Sequence, residues 1–239
     1  MKTIMVTEIG RKAELRDHPK PKVDAESVLV KTHYSGVSIG TEMWVATGRR
    51  LEGRQVPFPA AGYQATGEIV EVGAGVSGFS AGEIVVGFCP CSHSEYVKIS
   101  RDYLHKLPDP RFARESALFV MPAVGAHALS HADVNTGDNV LICGQGLIGQ
   151  CTAQLARLRG AFVAASEISP ERMTISQRYC ADWVIDASKG KLPDLIKERF
   201  PDGFDVVLES TGFQSLLNDA MQCVRAGGFN KGGKFVFEG

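Results

Sequence analysis

The sequence has no long apolar run and almost no net charge. No stretch of eighteen apolar residues occurs among the 239 residues, and the N-terminal segment MKTIMVTEIGRK has no apolar core after Lys2. Neither a membrane span nor a secretion signal is therefore predicted. The formal net charge of -1 and the lack of a basic run disfavour nucleic acid and anionic membranes as partners. We expect a cytoplasmic protein.

Cysteine is too scattered to predict a disulfide framework. The six cysteines are spread along a chain of medium length, which is typical of reduced intracellular thiols. Most of them are expected to fill core positions. Cys89, Cys91 and His93 alternate in GFCPCSHSEYV, so on a strand they would share one face and could form a three-ligand metal cluster; small thiols packed beneath a turn are the favoured interpretation.

The pattern of short segments changes between the two halves of the chain. The first half has β-branched runs separated by glycines, which predicts a compact β-barrel-like domain. In the second half, apolar strand-like runs alternate with helical segments, which predicts a parallel sheet. The domain junction is expected near residues 120 to 138.

A glycine-rich loop follows the first strand of the second half. In VLICGQGLIGQ, Gly144, Gly146 and Gly149 have the spacing G-x-G-x-x-G between a predicted strand and a predicted helix. In a dinucleotide-binding loop, the first glycine permits the sharp turn, the second admits a pyrophosphate, and the third lets helix and strand pack closely. Amides at the helix start would bind the phosphates, so the predicted contacts extend to Gln145, Leu147 and Ile148.

An acidic residue follows the next strand. Glu167 lies 23 residues beyond Gly144, where a carboxylate would accept hydrogen bonds from a ribose diol and repel a 2′-phosphate. NAD is therefore the expected cofactor. Arg172 lies nearby and could accommodate a phosphate, which keeps NADP as the alternative.

Two helices of the second half have predicted boundaries. After the glycine loop, Ile148, Cys151, Leu155 and Leu158 share one face, and Gly160 is the expected stop. In SPERM, Ser169 is the expected N-cap and Pro170 the first helical residue.

Three segments of the chain form a recognisable set: SGVSIGTEMWVATG, PFPAAGYQATGEIVEVGAGVSGFSAGEIVVG, and VLICGQGLIG with its SPER continuation. In this order they resemble the medium-chain dehydrogenase/reductase family, which includes zinc alcohol dehydrogenases and quinone oxidoreductases. The resemblance implies a chaperonin-10-like β-barrel domain over residues 1–125 and a Rossmann doubly wound parallel sheet over 126–239, with nicotinamide in the cleft between them. It also implies that the turn Ser210, Thr211 and Gly212 lies over the cofactor ribose.

The zinc ligands of this family are replaced here. The family's cysteine position falls on Ser38 or Ile39, its Gly-His-Glu triplet becomes Gly62, Tyr63 and Gln64, and no cysteine occurs from Leu118 to Pro122. Zinc needs three or four N, S or carboxylate ligands. We therefore expect no zinc and assign no metal ligand.

Candidate catalytic groups follow from these replacements. Tyr63 stands where the family has a ligand histidine, so its hydroxyl could donate a hydrogen bond to a substrate oxygen. Ser38 and Thr41 lie on a loop that approaches the substrate in the family, where Glu42 either takes part or holds the loop by pairing with an arginine. His127 lies near the family's nicotinamide-contacting segment and could shuttle a proton.

The expected function is NAD(P)-dependent hydride transfer to or from a small-molecule substrate, either an alcohol or carbonyl or a quinone or enone. The alternative is a catalytically inactive dinucleotide-binding regulator or sensor. The family usually continues about a hundred residues further, and RAGGFNKGGKFVF carries two Gly-Gly pairs, so we expect the Rossmann domain to be truncated at its C-terminal end. A homodimer is expected; if the chain is complete instead, its sheet has an exposed edge that the partner could cover.

Overall fold

The computed structural model describes residues 1–49, 55–227 and 232–238. The chain divides into two units, Met1–Val120 and Met121–Gly239. The first Gly-Gly pair of RAGGFNKGGKFVF lies partly outside the described residues.

The first unit is built from short antiparallel strands. They are β1 Lys2–Glu8, β2 Lys12–Asp17, β3 Ser27–Ser35, β4 Phe58–Pro59, β5 Gln64–Val72, β6 Ile84–Phe88, β7 Tyr96–Ser100 and β8 Leu104–Lys106. One sheet has the order β2-β1-β4 and the other β7-β3-β5-β6-β8. The unit also contains helices α1 Ile39–Ala46 and α2 Ala113–Ser116. The predicted β-rich first half is thus confirmed.

Alternating residues of the five-stranded sheet form the core of this unit. Val28, Ile69, Val85 and Ile99 are fully buried there, together with Cys89. Gly67 lets two strands approach closely, because an added Cβ would lie 2.1 Å from the carbonyl oxygen of Lys31. This burial is the main source of the unit's stability.

The second unit is a parallel sheet with helices on both faces. Its strands are β9 Asn139–Cys143, β10 Phe162–Glu167, β11 Trp183–Asp186, β12 Val206–Glu209 and β13 Lys234–Phe237, in the order β11-β10-β9-β12-β13. The helices are α3 Val120–His131, α4 Leu147–Leu158, α5 Pro170–Tyr179, α6 Leu192–Ile196 and α7 Gln214–Gln222. The predicted parallel sheet is confirmed, with its strand order reversing between β9 and β12.

Small residues dominate the contact between α4 and the sheet. Its buried positions are Gly149, Thr152, Ala153 and Ala156, whereas Leu158 is 84% exposed. Of the predicted face, Ile148, Cys151 and Leu155 are half-buried, with Leu155 packed against the core, and only Leu158 is exposed. The helix packs too close to the strands for large side chains, so its longer residues lie at the margin of the contact.

The predicted helix boundaries near α4 and α5 are confirmed. Arg159 is the C-cap of α4, and Gly160 follows with φ +86°. Ser169 is the N-cap of α5, where its hydroxyl accepts a hydrogen bond from the amide of Arg172, and Pro170 is the first helical residue. Both ends follow from local chemistry.

Candidate functional site

The glycine loop turns the chain from β9 into α4. Gly144 has φ +88°, a conformation that costs little only for glycine. Gly149 faces the start of the loop, and an added Cβ there would lie 2.0 Å from the carbonyl oxygen of Gly144. The first and third glycines are therefore required by the fold itself.

Gly146 differs from the other two glycines. It is the N-cap of α4 with an ordinary φ of -68°, and an added Cβ would have nothing within 4 Å. The amides of Leu147, Ile148 and Gly149 begin a twelve-residue helix and cannot bond within it. An open backbone beside these amides fits a diphosphate, which the helix dipole would also favour.

Gln145 is turned inward. Its side chain is fully buried, its Nε2 donates to the carbonyl of Gly144 over 3.0 Å, and its Oε1 accepts from Ser176 Oγ over 2.8 Å. Its main-chain amide donates to Glu167 Oε2 over 2.8 Å. Gln145 thus ties the loop to β10 and α5.

Glu167 binds three main-chain amides at the end of β10. Besides Gln145, Ile168 donates to its Oε1 over 2.7 Å and Ser169 over 3.0 Å. Burial by itself raises the pKa of this carboxyl, but the three amides and the Arg172 charge outweigh that effect and hold the pKa below its usual value. The side chain is 6% exposed, and Arg172 Nη1 lies 3.8 Å from Oε2.

The turn of Ser210, Thr211 and Gly212 lies beside the glycine loop. An added Cβ on Gly144 would lie 2.6 Å from Thr211 Cγ2. The fully buried carboxylate of Glu209 holds this turn, accepting from the amides of Thr211 over 2.8 Å and Gly212 over 3.2 Å. The structure therefore brings both predicted cofactor segments together where the strand order reverses, the usual ligand position in such sheets.

Glu238 joins the same end of the sheet. It accepts hydrogen bonds from the hydroxyls of Ser210 and Thr152. Burial raises the pKa of this carboxyl, and the nearby Glu209 adds to that effect. The sequence prediction missed Glu209 and Glu238; the signal for Glu209 was an acidic residue ending the apolar run FDVVLE.

Three candidate catalytic residues lie in the first unit. Tyr63 is half-buried just before β5, with its ring 5.6 Å from that of Phe88. Ser38 is 8% exposed and is the N-cap of α1, while Thr41 is half-buried within that helix.

His127 lies on α3 in the second unit. Its Nε2 lies 3.0 Å from Nε2 of His131 one turn further on, in an exposed position. The two imidazole rings meet edge to face with centroids 4.3 Å apart. A neutral ring can donate this hydrogen bond to the other.

Glu42 pairs with a histidine, where the sequence suggested an arginine. Its Oε2 lies 2.7 Å from His93 Nε2, and its Oε1 accepts from the amide of Ser38 over 2.8 Å. The other ring nitrogen of His93, Nδ1, lies 2.7 Å from Ser35 Oγ. This hydrogen-bonded chain was not predicted, because its members come from three separate segments.

The donor set around Cys89 does not fit zinc. Burial, helped by Cys91, raises the pKa of the Cys89 thiol to about 12. The predicted strand spacing of Cys89, Cys91 and His93 was wrong, because the segment is a turn in which Cys91 has φ +58°. Over the described ranges, no group of three or more His, Cys, Asp or Glu side chains could hold a metal ion.

Comparisons with known proteins agree with this architecture. Residues 24–109 match the alcohol dehydrogenase GroES-like domain, and residues 148–229 match the zinc-binding dehydrogenase family model. An L-threonine 3-dehydrogenase of Rhizobium etli is 28% identical over 263 residues, covering 95% of this chain and 76% of that enzyme.

Solved structures share the fold. A zinc-binding dehydrogenase from Sinorhizobium meliloti, bound to NADP, superposes with a TM-score of 0.88 at 23% identity, covering 100% of this chain and 76% of that one. The quinone oxidoreductase of Coxiella burnetii superposes with a TM-score of 0.83 at 22% identity, covering 93% of this chain and 72% of that one.

A GroES-like unit followed by a Rossmann sheet with a glycine loop defines a class of two-domain, nucleotide-dependent dehydrogenases, and the predicted fold class is confirmed. The chain belongs to the medium-chain dehydrogenase/reductase family, as its sequence motifs predicted. Its similarity to curated threonine and sorbitol dehydrogenases makes it an alcohol dehydrogenase-like enzyme. No helix in the described part of the chain has the length and apolar character to cross a membrane.

Proposed function

We propose that this enzyme transfers hydride between a nicotinamide dinucleotide and an alcohol or carbonyl, or a quinone or enone, without a catalytic zinc. One observation carries the proposal. Gly146 leaves open space beside the first amides of α4, at the point where the strand order of the sheet reverses.

The dinucleotide has a defined set of proposed contacts. The amides of Leu147, Ile148 and Gly149 would bind the diphosphate, and the turn of Thr211 and Gly212 would border the ribose. When bound, the nicotinamide ring supplies or accepts the hydride. The side chain of Gln145 is fully buried, so it does not contact the dinucleotide. Gln145 contributes only through its main chain and through the hydrogen bonds that hold the loop in place.

We propose NAD as the preferred cofactor, with NADP as the alternative. The oxygen Oε1 of Glu167 already accepts two amides, so Oε2 has the remaining capacity for a ribose hydroxyl. A 2′-phosphate at that position would meet the carboxylate charge. Arg172 is half exposed and close enough to counter that charge, which is the route by which NADP could bind.

Reduction of a carbonyl without zinc needs a proton and a hydrogen-bond donor for the substrate oxygen. We propose Tyr63 as that donor, with Ser38 or Thr41 orienting the substrate. His127 stays a candidate proton shuttle. The expected cytoplasmic location and homodimer also stay predictions.

The loop is tested by measuring NADH and NADPH binding calorimetrically to the wild type and to Gly146→Ala. The added methyl meets nothing in the folded chain, so the melting temperature should stay unchanged while binding weakens at least about tenfold. Equal affinity in the variant, or no binding to the wild type, would contradict the proposal.

Activity is tested by NADH oxidation against a panel of quinones and aldehydes, with zinc measured on the same sample. Turnover with negligible zinc would support a zinc-independent oxidoreductase. Tight NADH binding without turnover on any member of the panel would favour the regulator or sensor.

Tyr63 is tested by Tyr63→Phe on a confirmed substrate. Loss of the proton donor should lower kcat about 10²-fold and leave NADH affinity unchanged. Tyr103→Phe is the matched control, because Tyr103 also packs against Phe88, at 5.9 Å between ring centroids. Equal activity in the two variants would eliminate Tyr63 as the donor.

A further inference from the structure

The imidazole of His93 joins both ends of one segment of the first unit. Its Nδ1 meets the hydroxyl of Ser35 at the end of β3, and its Nε2 meets the carboxylate of Glu42 in α1, each over 2.7 Å. The segment between them carries Ser38 and Thr41. The side chains of His93 and Glu42 are only 9% and 14% exposed.

The histidine is itself fixed from two sides. Its carbonyl accepts a hydrogen bond from the amide of Ile4 over 3.0 Å. Its ring lies against Gly62, where an added Cβ would be 2.7 Å from Nε2 and 2.3 Å from Ser92 Oγ. Glycine at position 62 therefore lets the imidazole approach the main chain immediately before Tyr63.

We propose that His93 is a positioning residue whose bonds to Glu42 and Ser35 hold the segment of Ser38 and Thr41 in one conformation beside Tyr63. This inference rests on the proposed function, because it assigns the role of these bonds in that reaction. We call Ser35, His93 and Glu42 the histidine clamp.

The chemistry of the clamp fixes where one proton lies. A carboxylate only accepts hydrogen bonds, so Nε2 of His93 must carry the hydrogen that Glu42 receives. Glu42 in turn passes the constraint to the main chain, because its second oxygen accepts the amide of Ser38 over 2.8 Å. Ring, carboxylate and amide thus lock the start of α1.

Glu42→Gln separates this arrangement from simple packing. The carbonyl of the introduced amide can still accept the Ser38 amide, but its NH2 group must donate to Nε2, so the hydrogen has to move to Nδ1 and bond Ser35. Long-range ¹H–¹⁵N spectra of the histidine rings, assigned with His93→Asn, should show Nε2 protonated in the wild type and Nδ1 protonated in Glu42→Gln. A wild-type Nε2 without hydrogen, or an unchanged pattern in the variant, overturns the proposal.

Kinetics supply the second readout. Glu42→Ala removes the hydrogen bonds to His93 and to the Ser38 amide. We expect kcat to fall by about 10²-fold, while the KM for NADH changes less than about threefold. Glu42→Gln should restore most of that loss, because it keeps both bonds. His105→Asn is the control, since His105 is an exposed histidine of the same unit on β8.

The outcomes separate the two proposals. If the wild type turns over no substrate, the proposed function fails while the ring spectra still decide the clamp. If the wild type is active and Glu42→Ala keeps full kcat, the positioning role is wrong. Should His93→Asn fail to fold, the ring signal that responds to Glu42→Gln supplies the assignment instead.

Discussion

At the scale of single residues, two buried carboxylates organise the dinucleotide site. Glu167 ends β10 and binds the loop amide of Gln145, and Glu209 ends β12 and binds the amides of the Thr211 turn. Hydrogen bonds to charged acceptors are stronger than neutral ones, at about 1.5–3 kcal/mol each. These two acids therefore fix the conformation of both turns that border the site.

Replacing Glu167 should change both stability and cofactor preference. In Glu167→Ala the buried amide of Gln145 and the part-buried amides of Ile168 and Ser169 lose their acceptor, so we expect a loss of about 2–3 kcal/mol in the free energy of unfolding. The ratio of NADH to NADPH affinity should fall about tenfold, since the ribose ligand and the repelling charge are both gone.

Denaturant unfolding and calorimetry measure these two effects. Glu171→Ala is the matched control, because Glu171 lies four residues on and is exposed. A cofactor ratio that stays constant in Glu167→Ala would show that this acid serves the loop alone.

Residue identity was predictable where the chemistry is local. The three glycines and Glu167 follow from spacing along one strand–loop–helix segment. The hydrogen-bond partners of Glu42 and Glu238 do not follow from the sequence, because hydrogen bonds between distant segments depend on a tertiary arrangement that no local pattern specifies. Sequence alone suggested an arginine for Glu42 where the fold supplies His93.

At the scale of elements, the contact of α4 with the glycine loop is the tightest feature of the site. We expect Gly149→Ala to lower the free energy of unfolding by about 2–3 kcal/mol, because its methyl would overlap the carbonyl oxygen of Gly144. Gly146→Ala, three residues earlier, has free space and should leave stability unchanged. Thermal unfolding of the pair checks the difference, and equal stabilities would contradict the loop geometry.

The end of β13 should make stability depend on pH. The raised pKa of Glu238 means that folding disfavours its ionised form, so its contribution is fully present below the unfolded pKa and is lost as pH rises through the folded pKa. Glu238→Gln cannot ionise and can still accept from Ser210.

The variant should therefore gain stability over the wild type progressively as the pH rises from about 4 towards neutrality. Denaturant unfolding across that range measures the gain, with exposed Glu198→Gln as the control. A difference that is flat with pH would show that burial does not disfavour the ionised form of Glu238.

Element type was easier to predict than packing face. Strands β9 to β13 and the caps of α5 follow from apolar runs and from Ser169 and Pro170. The buried face of α4 was predicted only in part, because hydrophobicity favours leucine, whereas the short distance to the sheet selects Gly149 and Ala153. That distance is a tertiary property.

At the scale of the whole molecule, each unit has its own apolar core and its own tryptophan. Trp44 lies in the first unit, and Trp183 lies in the second, stacked on Phe200. Because the proposed cofactor contacts lie in the second unit, NADH at about 100 times its Kd should stabilise that unit by about 2.7 kcal/mol.

Two single-tryptophan variants, Trp44→Phe and Trp183→Phe, let fluorescence follow each unit separately. Unfolding monitored by Trp183 should shift to higher denaturant with NADH, and unfolding monitored by Trp44 should not. Equal shifts of both probes would show that the units unfold as one.

Each of the two units has buried cysteine thiols in its core. Cys89 is enclosed in the first unit, and Cys143, Cys180 and Cys223 are enclosed in the second, all with raised thiol pKa values. Iodoacetamide alkylates only a thiolate that solvent can reach. A pulse of the reagent should therefore modify these four cysteines only after the unit that contains them has unfolded locally or globally. Peptide mass spectrometry after such pulses would therefore measure when each unit unfolds, independently of the other and without any engineered probe.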